Sequence, residues 1–194
     1  MKHSLEEQAR RYASKAHAEA GQRRKYTDEP YIVHPAAVAE LVRSVTDNEI
    51  MLAAAWLHDT VEDTASTLGD IVSHFGAEVA ELVEMLTDTA QPQAKNRAMR
   101  KAAHFRHSAE ASPDAQTIKL ADIIDNTRSI IHFDPSFARI YLVEKRVQIE
   151  LLRAGDERLW QQASVIIEQG INQLSEPPHN VPPEWFARQA ARYV

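Results

Sequence analysis

The stretch Ala53-Ala54-Ala55-Trp56-Leu57-His58-Asp59-Thr60-Val61-Glu62-Asp63-Thr64 sets four metal-capable or acid-base side chains into an otherwise apolar segment. If it is helical, His58 and Glu62 lie one turn apart on one face, and Asp59 and Asp63 one turn apart on the adjacent face. A plainer alternative is a helix end, with Glu62 and Asp63 on a solvated rim and His58 a hydrogen-bonded core histidine. Against it stands the cost of carrying His-Asp on the buried side of Ala53, Ala54, Trp56 and Leu57, because a buried charge must be paired or bound to a metal.

Outward from this stretch, apolar positions recur with helical spacing and only 5 glycines occur in 194 residues, so the chain reads as almost wholly α-helical. Ser4 caps a first helix through about Ala20, closed by Gly21, and residues 22–33 form a loop. Pro35 suits the first turn of a second helix through Arg43, and a third is expected from about Glu49 to Thr60. Further helices are expected from Ser66 or Thr67 to His74, Ala77 to Thr87, Lys95 to Ala109, Gln116 to Ile131, Asp134-Pro135 to beyond Arg153, and Asp156 to about Leu174. The domain is thus expected to span residues 1–174, with a Pro-rich tail over 175–194 that ends in a short amphipathic helix carrying Trp185, Phe186 and Tyr193.

The length is that of one large domain, able to bury a core without disulfides. Cysteine is absent, which excludes thiol nucleophiles and cysteine-ligated metal centres and fits a reducing compartment. Any metal must therefore use His, Asp and Glu. A net charge of −6 gives no overall footprint for nucleic acid. No apolar run approaches the ~20 residues that span a bilayer, and the start of the chain has no secretory signal pattern. A soluble cytoplasmic protein without nucleic-acid or membrane partners is expected, its oligomeric state open.

Two other segments carry chemistry. In Tyr31-Ile32-Val33-His34-Pro35, His34 directly precedes a helix start, and in Lys119-Leu120-Ala121-Asp122-Ile123-Ile124-Asp125-Asn126, Asp122 and Asn126 share a helical face amid isoleucines. Together His34, His58, Asp59 and Asp122 offer two imidazoles and two carboxylates from three helices. That mixed donor set suits Mn²⁺, Fe²⁺, Co²⁺ or Zn²⁺ and leaves positions for water. Glu62 and Asp63 are then placed to orient that water or move its proton. Arg23, Arg24 and Lys25 make a cationic loop suited to phosphates and to stacking on a base, and Lys95, Arg97, Arg100 and Lys101 a second basic cluster; a solvated surface is the alternative for both.

The ordered set Arg23-Arg24-Lys25, Pro30-Tyr31-Ile32-Val33-His34-Pro35, Leu57-His58-Asp59-Thr60-Val61-Glu62-Asp63-Thr64, Phe75-Gly76 and Lys119-Leu120-Ala121-Asp122 with Asn126 resembles the HD-domain metal-dependent phosphohydrolases. More narrowly it resembles the hydrolase domain of RelA/SpoT enzymes and the stand-alone small alarmone hydrolases, including the metazoan SpoT-like ones. The resemblance covers roughly residues 5 to 155. It implies an all-α HD-domain bundle and a Mn²⁺-dependent hydrolase that cuts the ester between the ribose 3′ oxygen and the pyrophosphoryl group of (p)ppGpp, releasing pyrophosphate and GDP or GTP. Other divalent transition metals are alternatives. By matching position it makes His34, His58, Asp59 and Asp122 metal ligands, Glu62 and Asp63 the catalytic carboxylates, and Asn126, with Ser129 assisting, a nucleoside contact.

One departure concerns the base. Family members often carry a tyrosine late in the penultimate long helix, where this chain reads Ile149-Glu150-Leu151, with Tyr141 two turns earlier. An adenine alarmone, (p)ppApp, therefore competes with (p)ppGpp. A phosphatase of NADPH or another phosphorylated nucleotide is the alternative that keeps the site, and a catalytically silent nucleotide-binding HD protein the alternative from another class. With 194 residues, hydrolysis without synthesis is expected.

Overall fold

The computed structural model describes residues 2–194. Helices run in chain order as α1 (Leu5–Glu19), α2 (Val33–Arg43), α3 (Glu49–Leu57), α4 (Thr60–Asp63), α5 (Leu68–Phe75), α6 (Ala77–Leu86) and α7 (Arg97–Ala109). They continue as α8 (Pro113–Thr127), α9 (Ile130–Phe133), α10 (Pro135–Glu150), α11 (Glu157–Ser175) and α12 (Pro183–Ala190), followed by a 3₁₀ turn over Ala191–Tyr193. The molecule is all-α. Among the described residues there is no strand, only an isolated antiparallel bridge between Arg23 and Pro30 that closes the loop before α2.

Local chemistry sets most boundaries. The side chains of Ser4, Asn48, Thr67, Asn96, Ser112, Asp134 and Asp156 each accept from a backbone N–H of the first turn that follows, satisfying donors that have no partner inside the helix. Thr67 and Asp70 form a reciprocal capping box. Gly21 ends the first helical segment at φ +64°, a left-handed conformation that side chains with a Cβ rarely take.

Three helices differ from the sequence reading. The helix expected through Thr60 breaks at His58-Asp59, where the Thr60 hydroxyl donates to the Leu57 carbonyl at 2.7 Å and α4 restarts. The helix expected over 116–131 begins earlier, at Pro113 under the Ser112 cap, and ends at Thr127; Arg128 and Ser129 then turn the chain into α9. In addition α10 stops at Glu150 rather than beyond Arg153.

Helix α3 is the axis of the core, buried from Met51 to Leu57, and it packs against α1, α2, α6 and α8. Helix α8 lies on α2 and α11 and buries Ile118, Leu120, Ile123 and Ile124 almost completely. Each such side chain contributes about 1.5–3 kcal/mol by leaving water. Having no side chain, Gly170 of α11 lets Leu142 of α10 approach; a Cβ there would meet Leu142 at 2.9 Å. The tail folds back over α7 and α10, burying Val181, Phe186 and Tyr193. The packing thus places the first turn of α2, the α3–α4 break and the middle of α8 around one point.

Candidate metal centre and adjoining cavities

Both histidines of this point are buried, and hydrogen bonds fix their rings. The Nδ1–H of His58 donates to the Ala55 carbonyl at 2.7 Å; a carbonyl only accepts, so Nδ1 carries a proton and Nε2 is the atom that faces inward. Similarly, the Nδ1 of His34 donates to Asp125 at 2.6 Å, a carboxylate that orients the ring. The Nε2 atoms of His34 and His58 and one oxygen of Asp59 lie within 4.8 Å of one another. His58 Nε2 is buried without a hydrogen-bond partner. Asp122 stands beside this trio, its Oδ1 2.9 Å from His34 Nε2 and 3.6 Å from His58 Nε2, while Lys119 and Asn126 each donate to it at 2.9 Å.

The buried charges here shift one another strongly. Burial alone would push the Asp59 carboxyl up, yet His58 and His34 hold it well below the usual carboxylate range. Burial likewise opposes a charged His58, but Asp59 and Asp122 outweigh it and raise the imidazole well above its ordinary value. Two carboxylates and two inward imidazole nitrogens, one of them (His58 Nε2) buried without a hydrogen-bond partner, fit a divalent transition ion.

Around the centre a hydrogen-bonded frame links four further residues. The Tyr31 hydroxyl donates to Asp59 at 2.6 Å, and the Tyr31 ring packs on His17 at 4.8 Å between centroids. His17 is buried; its Nδ1 donates to the Gln22 amide oxygen at 2.8 Å, and Gln22 donates in turn to Asp63 at 3.2 Å. Asp63 is thereby oriented from α1 and the loop after it.

A cavity of about 260 Å³ opens from the centre. Asp59, Glu62, Asp63 and Asp88 supply one sign of charge to its lining, Lys101, Lys119 and Lys145 the other. Burial, reinforced by Asp88, Asp59 and Asp63, raises the Glu62 carboxyl to about 7. Burial, with Lys119 and Lys101 nearby, pulls the Lys145 ammonium down to about 7. A second cavity of about 230 Å³ adjoins it, sharing Asn126 and Tyr141. Aromatic rings of Tyr26, Phe133 and Phe137 line this one, with Arg24, Lys25 and Ser129.

The residues expected from sequence therefore divide. His34, His58, Asp59 and Asp122 converge, and Glu62, Asp63 and Lys101 line the first cavity. Arg24, Lys25, Asn126 and Ser129 line the second, where Arg24 donates to Asn126 at 3.1 Å. Arg23, Lys95 and Arg97 line neither: Arg23 is exposed and bonded to Asp28, Lys95 is exposed, and Arg97 is engaged by Glu144. Tyr141, whose equivalence the sequence left open, lies between the two cavities. Lys145, Gln148, Asp88, His104, Gln22 and Tyr31 were missed; a single lysine or glutamine in a helix gives no signal until tertiary packing brings it to the site.

The sequence profile described as HD domain matches residues 9–147. The chain belongs to the HD domain family. It is similar to guanosine-3′,5′-bis(diphosphate) 3′-pyrophosphohydrolase MESH1 of Mus musculus, 41% identical over 125 residues, which covers 62% of this chain and 68% of that protein. It is also similar to a probable guanosine-3′,5′-bis(diphosphate) 3′-pyrophosphohydrolase of Synechocystis sp., 39% identical over 121 residues, covering 61% of this chain but only 16% of that protein. Among solved structures, a metazoan ortholog of SpoT described as hydrolysing ppGpp superposes with a TM-score of 0.76 at 29% identity, over 87% of this chain and 97% of that one. Among the described residues no helix of this HD protein is long and apolar enough to cross a membrane.

Proposed function

We propose that this HD protein is a Mn²⁺-dependent 3′-pyrophosphohydrolase of (p)ppGpp. The observation that carries the reading is the convergence of His34, His58 and Asp59, with Asp122 beside them, next to a cavity lined by carboxylates and lysines. The relatives named for this reaction support it.

His34, His58, Asp59 and Asp122 would hold the metal, which when bound would supply Lewis acidity and acidify a nearby water. Glu62, whose carboxyl is raised to about 7, would take a proton from the attacking water, and Asp63, oriented by Gln22, would help to place that water. Lys101, Lys119 and Lys145 balance the charge of the pyrophosphoryl group. The water oxygen joins phosphorus, the bond from phosphorus to the ribose 3′ oxygen breaks, and that oxygen leaves as a hydroxyl with the proton that Glu62 took from the water. Asn126, between the cavities, reaches the ribose, while Arg24, Lys25 and the aromatic rings take the base. Guanine fits this lining better than adenine, because its O6 and N7 both accept and the charged groups there are donors.

The test is a panel of ppGpp, ppApp and NADPH with Mn²⁺. Pyrophosphate release, fastest from ppGpp, is expected. Faster turnover of ppApp overturns the base assignment, orthophosphate from NADPH as the main activity overturns the substrate class, and no hydrolysis of any overturns the enzymatic reading.

A further inference from the structure

Glu144 is a fully buried carboxylate that plays no part at the metal centre. It lies on α10 beside Lys145, one turn from Tyr141 and from Gln148, all three of which line the first cavity. Arg97 of α7 grips it in two-pronged fashion, Nε to Oε1 at 2.7 Å and Nη2 to Oε2 at 3.0 Å. The Tyr193 hydroxyl completes the arrangement, donating to Oε1 at 3.0 Å from a segment beyond residues 9–147, where the family match lies. This clasp touches the walls of both cavities. The Tyr193 ring packs on Phe105 at 5.9 Å, the Arg97 guanidinium lies 5.1 Å from the centre of the Phe137 ring, and Lys101 is one turn along from Arg97.

We infer that Tyr193 is a positioning residue for substrate binding: its hydroxyl completes the Arg97–Glu144 pair and so fixes the distance between Lys101 on α7 and Lys145 on α10. An ionised carboxylate offers about four acceptor sites, of which Arg97 occupies two and Tyr193 a third. Without the phenol, the buried carboxylate is left short of a donor, and the Arg97 clamp, with Lys101 one turn along α7, is free to shift relative to Lys145, whose Nζ is held by Gln148 at 3.0 Å. The tail over 182–194 thereby tunes the affinity of the lysine wall. This rests on the reading of that wall as the pyrophosphoryl subsite.

The experiment compares wild type, Tyr193→Phe and Phe186→Leu, measuring KM and kcat for ppGpp with Mn²⁺ and, by calorimetry, Kd for inorganic pyrophosphate. Phe186 is buried in the same segment and is not among the partners of Glu144, so its variant reports loss of packing alone. Tyr193→Phe is expected to raise KM and the pyrophosphate Kd roughly fivefold with kcat within about twofold of wild type. Phe186→Leu is expected to lower the melting temperature while leaving KM and Kd unchanged. Wild-type KM and Kd in Tyr193→Phe, or an equal rise in Phe186→Leu, overturns the inference. Should wild type turn over no nucleotide, the hydrolase reading fails by itself, and the pyrophosphate Kd alone decides the role of Tyr193.

Discussion

Glu62 carries the pH dependence of the account. Its carboxyl is raised to about 7 by burial and by Asp88, Asp59 and Asp63, so the basic form grows as pH rises through neutrality. We expect kcat/KM for ppGpp to climb with pH up to about 7 and then level, and Glu62→Gln to lose that limb and about 10²–10⁴ in rate while still binding metal. A Glu62→Gln enzyme with the wild-type profile would exclude it as the base. The sign for stability is opposite: a carboxyl raised on folding stabilises fully below its unfolded value near 4.5, and that contribution fades as pH rises through about 7. At this scale the sequence was most legible where chemistry is anomalous. His58, Asp59 and Asp122 stand out because each interrupts an apolar run. Lys145 and Gln148 look like any surface residues of a helix, and only the fold of α10 against α7 and α8 gives them a site.

At the scale of elements, caps were legible because they are local: Ser4, Thr67 and Asp156 bond a backbone N–H two or three residues on. The breaks after α3 and α8 were not legible, since they depend on Thr60 and on the turn at Arg128-Ser129, where no proline or glycine announces them. Both breaks border the site, one presenting Asp59 and the other placing Ser129 in the second cavity. The turn from α10 to α11 shows how tightly α8 is held. A Cβ on Gly155 would lie 2.8 Å from a methyl of Leu120 and 3.1 Å from the backbone of Gln116 and Thr117. Leu120 could shift, but the backbone of α8 cannot without carrying Asp122 along. Gly155→Ala is therefore expected to cost about 1–3 kcal/mol in urea denaturation. An unchanged midpoint would show that the turn, not α8, gives way.

For the whole molecule, the proposed metal ligands come from α2, the α3–α4 break and α8, so an ion held among them would tie together segments far apart in sequence. Binding only to the folded state, it should stabilise by about 2.7 kcal/mol at a free concentration a hundred times its Kd. The melting temperature of wild type is expected to rise with added Mn²⁺ and fall with chelator, and that of Asp59→Ala to respond to neither. An Asp59→Ala protein that still gains stability from Mn²⁺ would move the metal elsewhere. The all-α class and the order of the helices were legible from periodicity and capping; the seating of the tail on α7 and α10 was not, because its prolines read as a linker while Phe186 and Tyr193 found their partners only in the fold.

The central claim, that water attacks the phosphorus bonded to the ribose 3′ oxygen, is tested most directly by turnover of ppGpp with Mn²⁺ in ¹⁸O-labelled water, followed by mass spectrometry of the products. One ¹⁸O in the pyrophosphate and none in GDP is expected. Label in the nucleoside product, or orthophosphate in place of pyrophosphate, would contradict it.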